Sequence, residues 1–182
     1  MARLPHVPLF PRTAAGKVDR QHASDTEDLM ELEFPDEFLR FLDRHNGGVP
    51  RARHFRLGKN VKVVERFLAL VKRYRTHPLG PFDIGVVWSS IEDRLNEFLM
   101  PFAVVYPGDF LCFDFTEHDD PPVVLWVHDR SSEGAPHLVP VAEDFRAFLS
   151  GLFDAEAAPA PKKSSKPRPV VRPRARARRK RS

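Results

Sequence analysis

The sequence predicts an α+β fold: a single domain with a small antiparallel sheet of about four to five strands and helices packed on one face. Two observations point to it. Residues 99–128, LMPFAVVYPGDFLCFDFTEHDDPPVVLWVH, read as consecutive strands divided by turn residues, and on both sides of them apolar residues recur at helical spacing. A third, the length of 182 residues, suits one domain with tails and is enough to bury a core.

Within that stretch, residues 104–106 form a β-branched and aromatic run that stops at Pro107-Gly108-Asp109 and restarts as residues 110–115, which is a hairpin signal. Alternation along the second strand puts Leu111, Phe113 and Phe115 on one face, toward the core, and Phe110, Cys112 and Asp114 on the other. A polar break at residues 117–122 leads to a third strand, residues 123–128. Upstream, residues 1–29 mix Pro, Gly and polar residues without a period and predict a loosely ordered arm, in which Asp25 to Asp28 suit the cap of a short helical turn. Pro35, Asp36 and Glu37 open a helix over residues 35–44 that ends at Gly47. Residues 53–57 suit a short strand. Val63, Val64, Phe67, Leu68 and Val71 predict a helix over residues 64–74, and Ile84, Val87, Trp88, Ile91 and Leu95 a further one starting between Asp83 and Ser89. A fourth strand of the main sheet at 137–141 and a helix at 142–152 close the domain, which spans residues 30–153.

The net charge of +4 hides an asymmetry. Residues 154–182 hold eleven Lys or Arg against Asp154 and Glu156, a net of +9, which leaves residues 1–153 at −5. This tail of Ala, Pro, Lys, Arg and Ser cannot bury enough surface to offset the entropy of ordering and is predicted to be disordered. Its run of Arg172, Arg174, Arg176, Arg178, Arg179, Lys180 and Arg181 suits phosphate contact but has no interleaved aromatics for base recognition. No apolar run is long enough to span a membrane, and the Pro-rich start does not resemble a secretory signal. A cytoplasmic protein is expected, in keeping with the single cysteine.

Three groups of residues have side chains that could carry chemistry. Cys112 with His128 would supply a nucleophile and base, yet its mid-strand position between Leu111 and Phe113 predicts a buried thiol. His118, Asp119, Asp120, His128, Asp129 and His137 have metal-binding side chains without the spacing of a zinc site, so no metal or other cofactor is expected. Asp109, Asp114, Glu117, Asp119 and Asp120 either are ordinary turn residues or form an acidic docking face. Trp126 suits either an exposed anchor for a partner or, the expected reading, the core.

The order FPDEFLRFLDRHNGG, VVERFLAL, LMPFA, a Gly-Asp turn, LCFDF, PVVLWVH and VAEDFRAFL, over roughly residues 34–152, resembles the SUKH superfamily, the Smi/Knr type of domain. The resemblance implies a non-enzymatic binding protein. Many bacterial members bind and neutralise a cognate toxin, often a nuclease, while eukaryotic members regulate cell-wall synthesis. A protein partner, probed by an acidic fold that fits a basic nuclease groove, is therefore expected. The alternative is a nucleic-acid-associated, regulatory or scaffolding protein that works through its basic tail.

Overall fold

The computed structural model describes residues 4–117 and 120–155. In chain order the elements are α1 (Arg20–Met30), α2 (Asp36–His45), β1 (His54–Leu57), β2 (Asn60–Phe67), α3 (Ile84–Ile91), β3 (Leu99–Val105), β4 (Asp109–Asp114), β5 (Val123–Trp126), β6 (Leu138–Ala142) and α4 (Phe145–Ser150). The strands form one six-stranded sheet in the order β1-β2-β3-β4-β5-β6, each antiparallel to the next. The fold is α+β, as the sequence predicts, with one strand more than the expected four to five.

The sheet is buried at its centre because it is covered on both sides. Every residue of β3 and β5 is buried. On one side Phe38 of α2 and Phe145 and Phe148 of α4 meet Phe102 and Phe113 of the sheet, with Phe38 to Phe113 at 5.2 Å and Phe102 to Phe145 at 5.4 Å between ring centroids, while Phe41 of α2 meets Phe67 of β2, mostly edge to face. Such edge-to-face pairs add to the area they bury. The expected stripes produce this contact, since Phe38, Phe41, Leu42 and His45 recur at helical spacing and are the buried residues of α2. The other side of the sheet is covered locally at Trp126. There the short 3-10 turn Glu92–Arg94, which continues α3, lies over Trp126, whose indole Nε1 donates to the Arg94 carbonyl at 3.1 Å.

The second correction concerns the predicted helix over residues 64–74. Residues 60–67 are strand β2, entered from β1 through a two-residue loop in which Gly58 has φ 60°, a conformation suited to tight hairpins. Beyond β2 the chain runs through a buried segment, Leu68, Ala69, Leu70 and Val71. Its backbone groups are satisfied from every direction. Leu68 N–H donates to Phe102 O, Ala69 N–H to Phe82 O, and Gly47 N–H to Leu68 O. Asn46, 1% exposed, faces Leu70 as a strand would, its Oδ1 accepting from Leu70 N at 2.7 Å and its Nδ2 donating to Leu70 O at 3.0 Å. Asp83, also 1% exposed, accepts from Val71 N at 2.9 Å and caps α3 at Gly85 N. The apolar residues at 63, 64, 67, 68 and 71 are thus buried by a strand and an irregular segment rather than by a helix stripe.

The stretch read as a loosely ordered arm holds α1, capped by Asp19 rather than by Asp25 to Asp28, with Ala23, Thr26 and Met30 buried. His22 reaches Asp83 at 3.0 Å, and Arg20 pairs with Asp43 of α2 at 2.5 Å, so α1 is tied to both neighbours. Ahead of it, Leu9 bridges Pro50, and Val7 is buried. The glycines after α2 are required by space as well as by turn geometry. Gly47 has φ 70° and a Cβ there would stand 2.9 Å from Ala69 Cβ.

Asn46→Ala should leave the Leu70 N–H and C=O without partners at a site closed to water. At ~1–3 kcal/mol for each orphaned group, the variant should lose about 2–5 kcal/mol in denaturant unfolding. A loss below about 0.5 kcal/mol would show that this segment does not depend on the Asn46 amide.

Candidate binding surfaces

Of the four described carboxylates read as part of one acidic face, Asp109 stands apart from Asp114, Glu117 and Asp120. Asp109 and Asp114 occupy opposite ends of β4, roughly 17 Å apart at about 3.4 Å per residue. Asp109 is buried and committed, its Oδ2 bound to Lys62 Nζ at 2.9 Å and its Oδ1 accepting from His128 N at 3.1 Å. Asp114 stays at the other end, where Oδ1 accepts from Thr116 N and Thr116 Oγ1, and with Glu117, Thr116 and Pro122 it lines a shallow recess of about 230 Å³. Glu117 and Asp120 are exposed beside it. Asp119, with His118, lies outside the described residues, as does the tail from residue 156, including Arg172, Arg174, Arg176, Arg178, Arg179, Lys180 and Arg181. Trp126 is fully buried, with the Arg94 guanidinium 5.2 Å from its ring, so it is core and not a surface anchor.

Cys112 is fully buried opposite Val124, and burial, helped by the nearby Asp114 charge, pushes its thiol pKa far above the ordinary cysteine range. A neutral thiol closed to solvent is neither nucleophile nor ligand. His128 instead contacts Asp129, its Nδ1 3.1 Å from Oδ1. Among the described residues no group of three or more His, Cys, Asp or Glu side chains is placed to hold a metal ion. No helix among them is long and apolar enough to cross a membrane.

Two features of the site map were not read from the sequence. One is a cleft of about 450 Å³ between α1 and α3, walled by His22, Leu29, Tyr74, Val86 and Ser89, with Asp83 behind His22. Its signal was the Asp before an apolar run, which marked a helix start without showing that the same carboxylate serves Val71 and His22. The other is the exposed face of the β1–β2 hairpin, where Arg56 lies opposite Val61, with Lys59 in the loop and Tyr106 bound through its backbone to Val63 of β2. Residues 51–75 contain nine Lys or Arg and one Glu, a local signal masked by the net charge of −5 over residues 1–153.

A third cavity, of about 470 Å³, lies between the N-terminal segment and α2 and is bordered by His6, Val7, Arg40, Arg44 and His45. His45 joins its two walls, with Nδ1 2.9 Å from Phe41 O and Nε2 3.0 Å from Val7 O. Two carbonyls favour the doubly protonated ring, but burial outweighs them and, with Arg44 and His6 nearby, lowers the His45 pKa below its ordinary 6.5. The folded protein therefore binds this proton more weakly than the unfolded chain. Stability from the neutral ring is full above pH 6.5 and is lost as pH falls below it, until the folded ring is protonated as well. Denaturant titrations at descending pH should show this loss, at no more than ~1.4 kcal/mol per pH unit from one proton. His45→Gln should flatten the slope, and an unchanged slope would assign it to other groups.

Cys112→Ser should place a hydroxyl in an apolar site and cost ~1–3 kcal/mol in thermal or denaturant unfolding, with binding retained by the folded fraction. Loss of function in a variant as stable as the parent would return Cys112 to the list of reactive groups.

No curated protein matches the chain. A family model does: SUKH_6, described as SMI1-KNR4 cell-wall, aligns with residues 21–149, a span that begins in α1 and ends in α4. That match covers well over half of the sequence, along the same ordered segments that carry the resemblance, and the chain belongs to the SUKH superfamily.

Proposed function

We propose that the protein is an immunity-type binding protein that neutralises a cognate toxin, a nuclease in the simplest case, by covering its working surface. The observation that carries this reading is membership of the SUKH superfamily. The structure supports it in two ways. The sheet is packed on both sides, which gives a rigid body on which a blocking surface holds its shape. The groups with reactive potential, Cys112 and Asp83, are enclosed by the fold. Asp114, Glu117 and Asp120 supply local negative charge of the kind that speeds encounter with a basic nuclease groove. The partner chemistry is then electrostatic at the rim and needs no cofactor.

Co-expression with candidate nuclease toxins, chosen by examining the neighbouring genes, tests the proposal. Protection should survive truncation after Phe153. Glu117→Lys with Asp120→Lys should slow association about tenfold at low salt and less at high salt, because rim charges act chiefly on the on-rate and are screened. A truncated protein that folds but no longer protects, or reversed charges that leave association unchanged, would overturn the reading.

A further inference from the structure

We propose that the outer face of the β1–β2 hairpin is a contact surface for single-stranded nucleic acid. The surface is built by register. Arg56 lies directly opposite Val61, on the face away from Phe55 and Val64, which are buried. Lys59 sits in the hairpin loop and is exposed. Tyr106, at the end of β3, donates its N–H to Val63 O and so stands next to this strand, 63% exposed. Val61, 47% exposed, extends the apolar part.

Charge on this face is uncompensated. Of the nine cations in residues 51–75, Lys62 is held by Asp109 and Lys72 by Asp19, whereas Arg56 and Lys59 have no carboxylate partner among the described residues. The contrast is local, since residues 83–144 hold thirteen Asp or Glu and two Arg. The position of the C-terminal segment gives a second and independent pointer. Phe153 hydrogen-bonds to His54 in both directions, N to O at 2.9 and 3.0 Å, and its ring lies 5.5 Å from the Arg56 guanidinium. Phe153 is thus held on β1, and the sequence beyond it, residues 154–182, contains eleven Lys or Arg.

Cations flanking an exposed ring match the alternation of phosphate and base in a single strand. The guanidinium and ammonium groups neutralise phosphates, and Tyr106 offers a ring on which one unpaired base stacks. The tail alone lacks that second element. An acidic polypeptide would satisfy the cations and leave the ring without a role, which favours nucleic acid. Contacts of this kind carry no sequence preference, because every phosphate and every base face is alike to them.

The test is fluorescence anisotropy of the full-length protein with a labelled oligodeoxythymidylate of about 16 nucleotides, over a salt series. Arg56→Ser with Lys59→Ser should weaken binding about tenfold and reduce the slope of log affinity against log salt by about 1.4, two phosphates at ~0.7 each. Tyr106→Ala should weaken binding about tenfold with the slope unchanged, and Tyr106→Phe should bind as the parent does. Both sets binding with parental affinity and slope would assign the contact to the tail alone and overturn the proposal. So would displacement of the oligonucleotide by polyglutamate at equal charge, which would show an acidic polypeptide to be the better occupant. All three positions are exposed, and equal melting of the variants confirms that the comparison reads contact rather than folding.

Discussion

The fold depends on how the buried segment from Leu68 to Val71 is satisfied. It passes through the core without belonging to a helix or to the main ladder, so its backbone groups require partners from elsewhere. Asn46 and Asp83 supply them. Each does so from the end of a different helix: Asn46 closes α2 and Asp83 opens α3. The same Asp83 carboxylate receives His22 from α1, and Leu68 continues the pairing of β2 with β3 through Phe102. Three helices and the sheet are thereby fixed to one short stretch of chain. The aromatic cluster contributes the larger area term, but apolar contacts are not directional. The polar ties select one arrangement of the helices over others that would bury the same rings, at the cost of two desolvated side chains.

The region that was legible in the sequence is the one where local pattern and global fold agree. In β3 to β6 the β-branched and aromatic runs are bounded by Pro, Gly and acidic turns, and they pair in simple succession, so neighbours in sequence are neighbours in the sheet. Residues 60–71 failed for a definite reason. Val63, Val64, Phe67, Leu68 and Val71 satisfy helical spacing, but a strand followed by a buried irregular segment also buries a near-continuous apolar run, and periodicity does not separate the two. The Gly58 turn and the three valines of β2 were the counter-signal. Helix α1 was missed because its mean character is polar, with three buried residues and no apolar stripe, so tertiary contacts to Asp83 and Asp43 hold it. Asp109 and Trp126 were named as site residues from their types alone. Their burial follows from partners distant in sequence, Lys62 and Arg94, which no local reading supplies.

Charge separation along the chain becomes separation in space. The exposed basic residues Arg56 and Lys59 collect on the first hairpin, whereas Asp114, Glu117 and Asp120 collect at the far end of β4. The net charge of −5 over residues 1–153 therefore describes neither surface. At physiological ionic strength the Debye length is about 8 Å, shorter than the length of β4, so the two ends act on approaching partners as separate sites. A basic toxin groove and a polyanion would be steered to different places on one molecule.

The sheet edges narrow the manner in which either partner is engaged. β6 is an edge strand, and its central Pro140 has no N–H to offer an incoming chain. At the opposite edge Phe153 already occupies the backbone of His54 in β1. Recognition by addition of a strand is thus obstructed at both sides. With β3 and β5 buried at every position, the faces of these two strands are closed as well. What remains accessible is the side chains of loops, helices and the first hairpin. Binding through such side chains is governed by charge and by a few exposed rings, and that is the chemistry the surface presents.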